Sequence, residues 1–290
     1  MTITITPIQG EIAASIGGID VRRGVTDDDQ VQAIERALDQ YIVVVLRGQP
    51  LDDDLQQDFI QRFGPAIVTN TIKELTSRRS HRPHLLDITT VDEHGEPLKD
   101  RSFMKLYMLA NQLWHSDGSH IQPPTRLTAL STRMLPSDPP DTEFADMRAA
   151  WDALPADQQE QLLDLQAEHS IAHSRTLLGM EVDQFSDDSL NRRPPVQHSL
   201  VRTNPRTGRR SLYLSGHASH IIGWPVEQGR ALLQQLTEHA TQRQFVYAHA
   251  WQMDDLVMWN NAASMHRALP YTGTEPRLLR WSGVTELEPV

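Results

Sequence analysis

With 290 residues, 39% of them hydrophobic and 22% charged, the chain can bury a full-sized core and has the makeup of a soluble globular protein. Its formal net charge of −11 argues against a general nucleic-acid binder, because neutralising phosphates needs an excess of Lys and Arg. The absence of cysteine excludes disulfides, thiolate ligands and a Cys nucleophile, so any metal site must use His and carboxylates.

The first ten residues lack the basic start and apolar block of a signal peptide. The longest apolar run, Ile42 to Leu46, is far too short to span a bilayer. A cytoplasmic protein that binds neither membrane nor nucleic acid is the expectation, and a homo-oligomer is open.

In chain order, Thr2 to Ile8 alternates like a half-buried strand, and Thr26 to Gln40 has helical spacing with Asp27, Asp28 and Asp29 in its first turn. Tyr41 to Leu46 is β-branched and uninterrupted, which predicts a strand buried on both faces. Leu51 to Phe63 reads as a helix ending at Gly64-Pro65. The polar stretch 66–101, with its basic cluster Arg78 to Arg82, has the length of an active-site lid loop.

Leu106 to Leu109 and Leu127 to Arg133 read as strands around a turn-rich segment, and Asp146 to Ala153 and Asp157 to His169 as helices. Strands are expected at Leu200 to Thr203, Ser211 to Leu214, Gln244 to Ala250, Leu256 to Trp259 and Arg277 to Val284, with a helix at Val226 to His239. Many short strands with few helices predict a mainly β fold with flanking helices, arranged as one domain over 1–290.

The sharpest local signal is Trp114-His115-Ser116-Asp117-Gly118. On a strand, residues i and i+2 share a face, so His115 and Asp117 can converge on one ion. A second histidine would complete a two-His, one-carboxylate triad with coordination positions left open. His266, beyond the strand Leu256 to Trp259 and a turn, is the choice for that ligand, and His120 is the rival. Eleven residues after His266, the guanidinium of Arg277 has the fork geometry to clasp a carboxylate. The i, i+4 pair His169 and His173 lacks a third ligand nearby and reads as a solvated or hydrogen-bonded pair; His81 and His84 read as surface residues.

Three blocks carry a family resemblance: Trp114 to Ser119, Asp141 to Ala150, and Ser211 to Ala218. They resemble the TauD/TfdA family of Fe(II)/2-oxoglutarate-dependent dioxygenases, on its aryloxyacetate side, over about Gly10 to Arg280. The resemblance implies a double-stranded β-helix core, a cupin-like jelly roll. It implies Fe(II) held by His115, Asp117 and His266, with 2-oxoglutarate and O2 as cosubstrates and Thr142 and Arg277 on the distal carboxylate of 2-oxoglutarate. Read from the residues alone, Thr142 is the N-cap of the following helix, a task that Asp146 can take instead.

The implied reaction is hydroxylation of a C–H bond of a small, carboxylate-bearing apolar or aryloxyalkanoate-like molecule, yielding succinate and CO2. An intact Asp117 fits hydroxylation, since related halogenases carry a small residue there. Lys73, Asn111 and His217 match substrate-pocket positions. The departure is Trp281, which stands where members that bind a sulfonate or carboxylate often carry a second arginine. Arg280 would face the other way on its strand. Two other classes use the same residues: a Zn-dependent hydrolase on the His/Asp/His site, and a non-enzymatic cupin-like binding protein, which leaves Arg277 without a task.

Overall fold

The computed structural model describes residues 2–23, 27–69, 82–99, 105, 108–179 and 193–287. Its first strands are β1 (Thr4–Gln9), β2 (Ala13–Gly17), β3 (Val43–Leu46), β4 (Leu86–Thr89) and β5 (Thr125–Met134). Then come β6 (Thr142–Asp146), β7 (Gln166–His169), β8 (Val196–Ser199), β9 (Val201–Thr203) and β10 (Arg210–Leu212). The last are β11 (Ala218–Ile221), β12 (Val246–His249), β13 (Leu256–Asn260), β14 (Ser264–Ala268) and β15 (Leu278–Thr285). The α-helices are α1 (Asp28–Gln40), α2 (Asp53–Gln61), α3 (Met147–Asp152), α4 (Ala156–Leu162), α5 (Ile171–Thr176) and α6 (Val226–Ala240).

The fold is mainly β with flanking helices. A seven-stranded sheet runs β1-β2-β3-β13-β5-β15-β4, antiparallel except where β2 meets β3. Smaller sheets run β12-β6-β14 and β11-β7-β8, and β9 pairs with β10. The large sheet is covered on both sides, which is why β3 and β13 contain almost no polar side chains. Val44, Leu46, Leu256 and Met258 pack under α1 and α2 with Ile34, Leu38, Phe59 and Ile60. Val43, Val45, Val257 and Trp259 face the other way, onto Phe144 of β6 and Tyr247 of β12. The two sheets thus share one apolar layer, and the candidate site lies along it.

Strand β15 applies the same alternation to charge. Arg280 turns towards the helices, within 3.3 Å of Asp53 on α2 and 3.1 Å of Asp87 on β4. Gln56 of α2 donates to the Arg280 carbonyl at 2.8 Å and ties that helix to the strand. Leu279 and Trp281 turn into the layer between the sheets. Arg280 therefore serves the helix contact, on the face away from the site.

Several sequence readings are corrected. The N-terminal strand is exposed at every position, because it is the edge of the large sheet and packs only sideways on β2. Met108 and Leu109 are helical where a strand was expected, while 106–107 lie outside the described residues. The helix expected over 157–169 stops at Leu162; Gln166–His169 is a strand whose partners, β8 and β11, come much later in the chain. The strand expected at Gln244 begins at Val246 after a turn of 3-10 helix at Arg243–Phe245, and that expected over Ser211 to Leu214 ends at Leu212. Within the polar stretch 66–101, Leu86–Thr89 is a strand of the large sheet, and 70–81 lie outside the described residues. No helix among the described residues is long and apolar enough to cross a membrane.

Asp146 caps α3, accepting from the backbone N–H of Arg148 at 2.9 Å and of Ala149 at 3.2 Å. It also holds the buried Arg148 guanidinium at 3.0 Å, which otherwise reaches the carbonyls of Glu11, Asp39 and Gln40. Asp146→Ala strands a buried cation as well as a helix end, and should cost about 3–5 kcal/mol in urea unfolding. Asp146→Asn keeps the cap oxygen and should cost clearly less.

Candidate active site

The site begins with a backbone contact. His115 N–H donates to the His266 carbonyl at 3.0 Å, and His266 N–H donates to the His115 carbonyl at 2.8 Å. This single antiparallel bridge pins the loop 113–118 against β14, whose other edge pairs with β6. The His115–Asp117 stretch was expected on a strand; it is one bridge residue followed by a turn, and the turn carries Asp117 back towards the histidines. Gly118, at φ +60°, makes that turn, and a Cβ there would lie 2.1 Å from Thr125 Oγ1.

One donor atom each from His115, Asp117 and His266 lies within 4.8 Å of the others, a spacing that fits a metal ion. His115 Nε2 is 3.8 Å from Asp117 Oδ1, and His266 Nε2 is 3.7 Å from Asp117 Oδ2. His115 Nδ1 donates to the Leu113 carbonyl at 2.7 Å, which leaves Nε2 with its lone pair facing the carboxylate. His120, the rival ligand, packs instead against His217, the rings tilted by 51° with centroids 4.5 Å apart.

Burial keeps these imidazoles neutral, the form that binds metal. It lowers His115 below its ordinary value and, helped by the neighbouring His115, takes His266 down to about 3. For Asp117, burial works towards a higher value. Attraction to the His266 and His115 rings where these carry a proton, and hydrogen bonds from Thr128 and Trp281, outweigh it and hold the carboxylate below its usual range.

Two further residues face the same chamber. Arg277 is 6% exposed, and burial lowers its guanidinium to about 10. Its Nε has no hydrogen-bond partner among the described residues, so the cation is buried with an unmet demand for an acceptor. Thr142 opens strand β6, so it is no helix cap. Its Oγ1 accepts from Trp251 Nε1 at 3.0 Å, which leaves the hydroxyl hydrogen to donate elsewhere. Thr142, Arg277, His115, Asp117, His266, Asn111 and Trp281 all line one small chamber of about 50 Å³.

Larger cavities adjoin it. One of about 530 Å³ shares Asn111, His115, Asp117 and Trp281 with the chamber and adds His120, His217, Arg175 and Arg193. Another of about 220 Å³ shares Asn111 and Arg277. Asn111 thus borders all three, and His217 is a wall of the largest. Lys73 lies outside the described residues, as does His81; His84 is half-buried against the Ile67 carbonyl at 3.1 Å. His169, expected in a solvated or hydrogen-bonded pair with His173, is fully buried against Tyr213 and His198.

Sequence reasoning missed the network behind Asp117. Thr128 Oγ1 donates to Oδ2 at 2.7 Å and Trp281 Nε1 donates to the same oxygen at 3.1 Å. Asn261 accepts from the Asp117 N–H at 3.1 Å and from Trp259 Nε1 at 3.0 Å, and its amide donates to Thr128 at 2.9 Å. The signal was the Trp259-Asn260-Asn261 run before the last histidine, whose purpose only the fold makes plain.

Residues 4–281 match the family model described as taurine catabolism dioxygenase TauD, TfdA family. The chain belongs to the TauD/TfdA family. It is 43% identical over 280 residues to an alpha-ketoglutarate-dependent 2,4-dichlorophenoxyacetate dioxygenase of Cupriavidus pinatubonensis, covering 97% of this chain and 96% of the relative. It is 30% identical to the (S)-phenoxypropionate/alpha-ketoglutarate-dioxygenase of Sphingobium herbicidovorans, covering 95% and 92%. Among solved structures, AAD-2 in complex with Mn(II) and N-oxalylglycine superposes with a TM-score of 0.90 at 38% identity, covering 100% of this chain and 98% of that one. As a TauD/TfdA member the chain has a site whose donor set, two imidazoles and a carboxylate, suits Fe(II).

The buried imidazoles make this TauD/TfdA fold acid-sensitive. Burial takes His169 down to about 3, against about 6.5 for an unfolded histidine. Above pH 6.5 neither state is protonated; as pH falls below it, the unfolded chain takes up a proton that the native chain refuses. Stability is therefore lost from pH 6.5 downwards, by about 2 kcal/mol at pH 5 from this residue. His169→Phe, which keeps a ring against Tyr213, should lose that much less than the parent between pH 7 and 5 in urea titrations.

Proposed function

We propose that this chain hydroxylates a small carboxylate-bearing molecule with an aryloxyalkanoate-like or apolar body, with Fe(II) held by His115, Asp117 and His266. The reaction class is that of the family: an Fe(II)- and 2-oxoglutarate-dependent dioxygenase, with O2 as second cosubstrate. The observation that carries the residue assignment is Arg277, a buried cation with an unmet Nε in the chamber that also holds the three donors. A carboxylate placed there removes the cost of the buried charge.

Bound to these residues, the metal would supply the redox chemistry that couples oxidative decarboxylation of 2-oxoglutarate, to succinate and CO2, with insertion of one oxygen atom of O2 into a C–H bond. The chain's own part is positioning. Arg277 offers its fork to the distal carboxylate of 2-oxoglutarate, and Thr142, already accepting from Trp251, donates its hydroxyl hydrogen to the same group. Leu130, Leu279 and Trp259 line the chamber with apolar surface and keep water from its floor. N-Oxalylglycine, which AAD-2 holds with Mn(II), has the same two carboxylates as 2-oxoglutarate.

The substrate fits the larger cavity, whose apolar walls include Ile67, Val68, Leu86, Leu113, Ile121 and Trp281. Relatives named for 2,4-dichlorophenoxyacetate and phenoxypropionate support an aryloxyalkanoate there. We assign the substrate-binding surface to Asn111, His217 and Trp281, with Lys73 meeting the anion, and the part of stretch 66–101 that precedes strand β4 as the lid. The two facing sheets support a double-stranded β-helix, or jelly roll, within a single domain. The relatives speak against the zinc hydrolase and the inert cupin.

Succinate release across aryloxyalkanoates, sulfonates and apolar carboxylic acids tests this reading; turnover best with an aryloxyalkanoate is expected, and a neutral compound as best substrate would contradict it. His115→Ala and Asp117→Ala should each abolish 2-oxoglutarate decarboxylation while circular dichroism stays native. Arg277→Lys should raise the 2-oxoglutarate KM by about 10–100-fold, the equivalent of 1.5–3 kcal/mol, because a point cation cannot replace the fork. An unchanged KM would place the anchor elsewhere.

A further inference from the structure

We infer that Trp281 is a positioning residue for the Asp117 carboxylate, seated for that task by Gly283, and that it links the metal-holding group to the substrate wall. The inference rests on the reading of Asp117 as a metal ligand. The indole Nε1 donates to Asp117 Oδ2 at 3.1 Å, and Thr128 Oγ1 donates to the same oxygen at 2.7 Å. Thr128 must be the donor there, because its own oxygen accepts from Asn261 and an ionised carboxylate has no hydrogen to give. Asn261 cannot be turned round, since its oxygen faces two N–H groups, of Asp117 and Trp259.

Oδ2 is thus engaged by two donors and lies 3.7 Å from His266 Nε2, whereas Oδ1 receives none from the described residues and lies 3.8 Å from His115 Nε2. A carboxylate held this way offers one oxygen in a fixed direction. Without the indole it could swing about Thr128 and present either oxygen or both, at the expense of the position left open for a cosubstrate. Donors to a ligating carboxylate tune metal sites in just this manner.

Gly283 shows how the strand accommodates the indole. It lies two residues along β15, on the same face, and its own backbone needs no left-handed conformation. A Cβ there would stand 2.8 Å and 2.9 Å from Trp281 Cη2 and Cζ2, inside contact distance. The outer edge of the six-membered ring therefore takes the space a Cβ at 283 would fill, and a side chain there would push the ring aside and with it Nε1. The ring borders both the 530 Å³ cavity and the 50 Å³ chamber, so a substrate body packed on it bears on the group that fixes the carboxylate. Trp281 thus links substrate contact to metal geometry.

The test uses Trp281→Phe, which keeps an aromatic ring on the same strand face and removes the N–H together with the indole's second ring. Mn(II) affinity is measured by calorimetry without 2-oxoglutarate or substrate, and the ratio of hydroxylated product to succinate is measured at turnover. We expect Mn(II) binding weaker by roughly tenfold or more, and a lower ratio, as decarboxylation runs on without hydroxylation. Should this variant not fold, Gly283→Ala, which retains the N–H and displaces it, carries the test with the same expected losses. Mn(II) affinity within about twofold of the parent and an unchanged ratio would overturn the inference and leave Trp281 a plain wall residue. The separate loss of Mn(II) binding in Asp117→Ala would show that the site assignment itself still stands.

Discussion

The reciprocal hydrogen-bond pair between His115 and His266 is the constraint on which the site depends. It is a single bridge, 3.0 and 2.8 Å long, between a loop and strand β14, yet it fixes both imidazoles at once. The histidines are 151 positions apart by number, so local chain preference cannot bring them together; sheet closure does. Strand β14 is held by β6, and β6 also presents Thr142 at its first residue. The register of one three-stranded sheet therefore sets the distance between the His266 imidazole and the Thr142 hydroxyl. A one-residue slip would turn every one of these side chains to the opposite face.

Charge in the layer between the sheets is sparse and asymmetric. Asp117 is the negative group and receives hydrogen bonds from Thr128 and Trp281; Arg277 is the positive group, with an Nε that finds no acceptor among the described residues. The imidazoles between them are kept uncharged by burial. Such an arrangement is costly for a fold and well suited to a site, since a divalent metal at one end and a dicarboxylate across both would satisfy each group in turn. Arg280, on the opposite face of β15 from Trp281, shows the contrast: it sits among Asp53 and Asp87 and serves the packing of α2.

Much of this was legible in the sequence, for physical reasons. The both-face burial of Val43 to Leu46 follows from its unbroken apolar run, and α1 from its acidic first turn and period. Asp146 was readable as a cap, and it is one. That His115, Asp117 and His266 would come together was readable because metal chemistry restricts residue type, and the fold does bring their donor atoms within 4.8 Å. Elements formed by distant partners were not: Gln166–His169 has a helical look and becomes a strand only because β8 and β11 flank it. The hydrogen bonds to Asp117 from Thr128, on β5, and Trp281, on β15, were equally hidden, for they join strands with no shared motif. Trp281 read as an aromatic pocket wall in place of a second arginine; that its N–H reaches Asp117 appears only in the fold.

The central claim is that one chamber holds two complementary binding elements, a metal triad and a buried carboxylate clasp. Calorimetric titration of 2-oxoglutarate into the chain, with and without Mn(II), tests it most directly. If the two elements act on one cosubstrate, Mn(II) must tighten 2-oxoglutarate binding, and 2-oxoglutarate must tighten Mn(II) binding by the same factor. Equal 2-oxoglutarate affinity in the presence and absence of the metal would contradict the account, because it would place the metal and the clasp of Arg277 in separate sites.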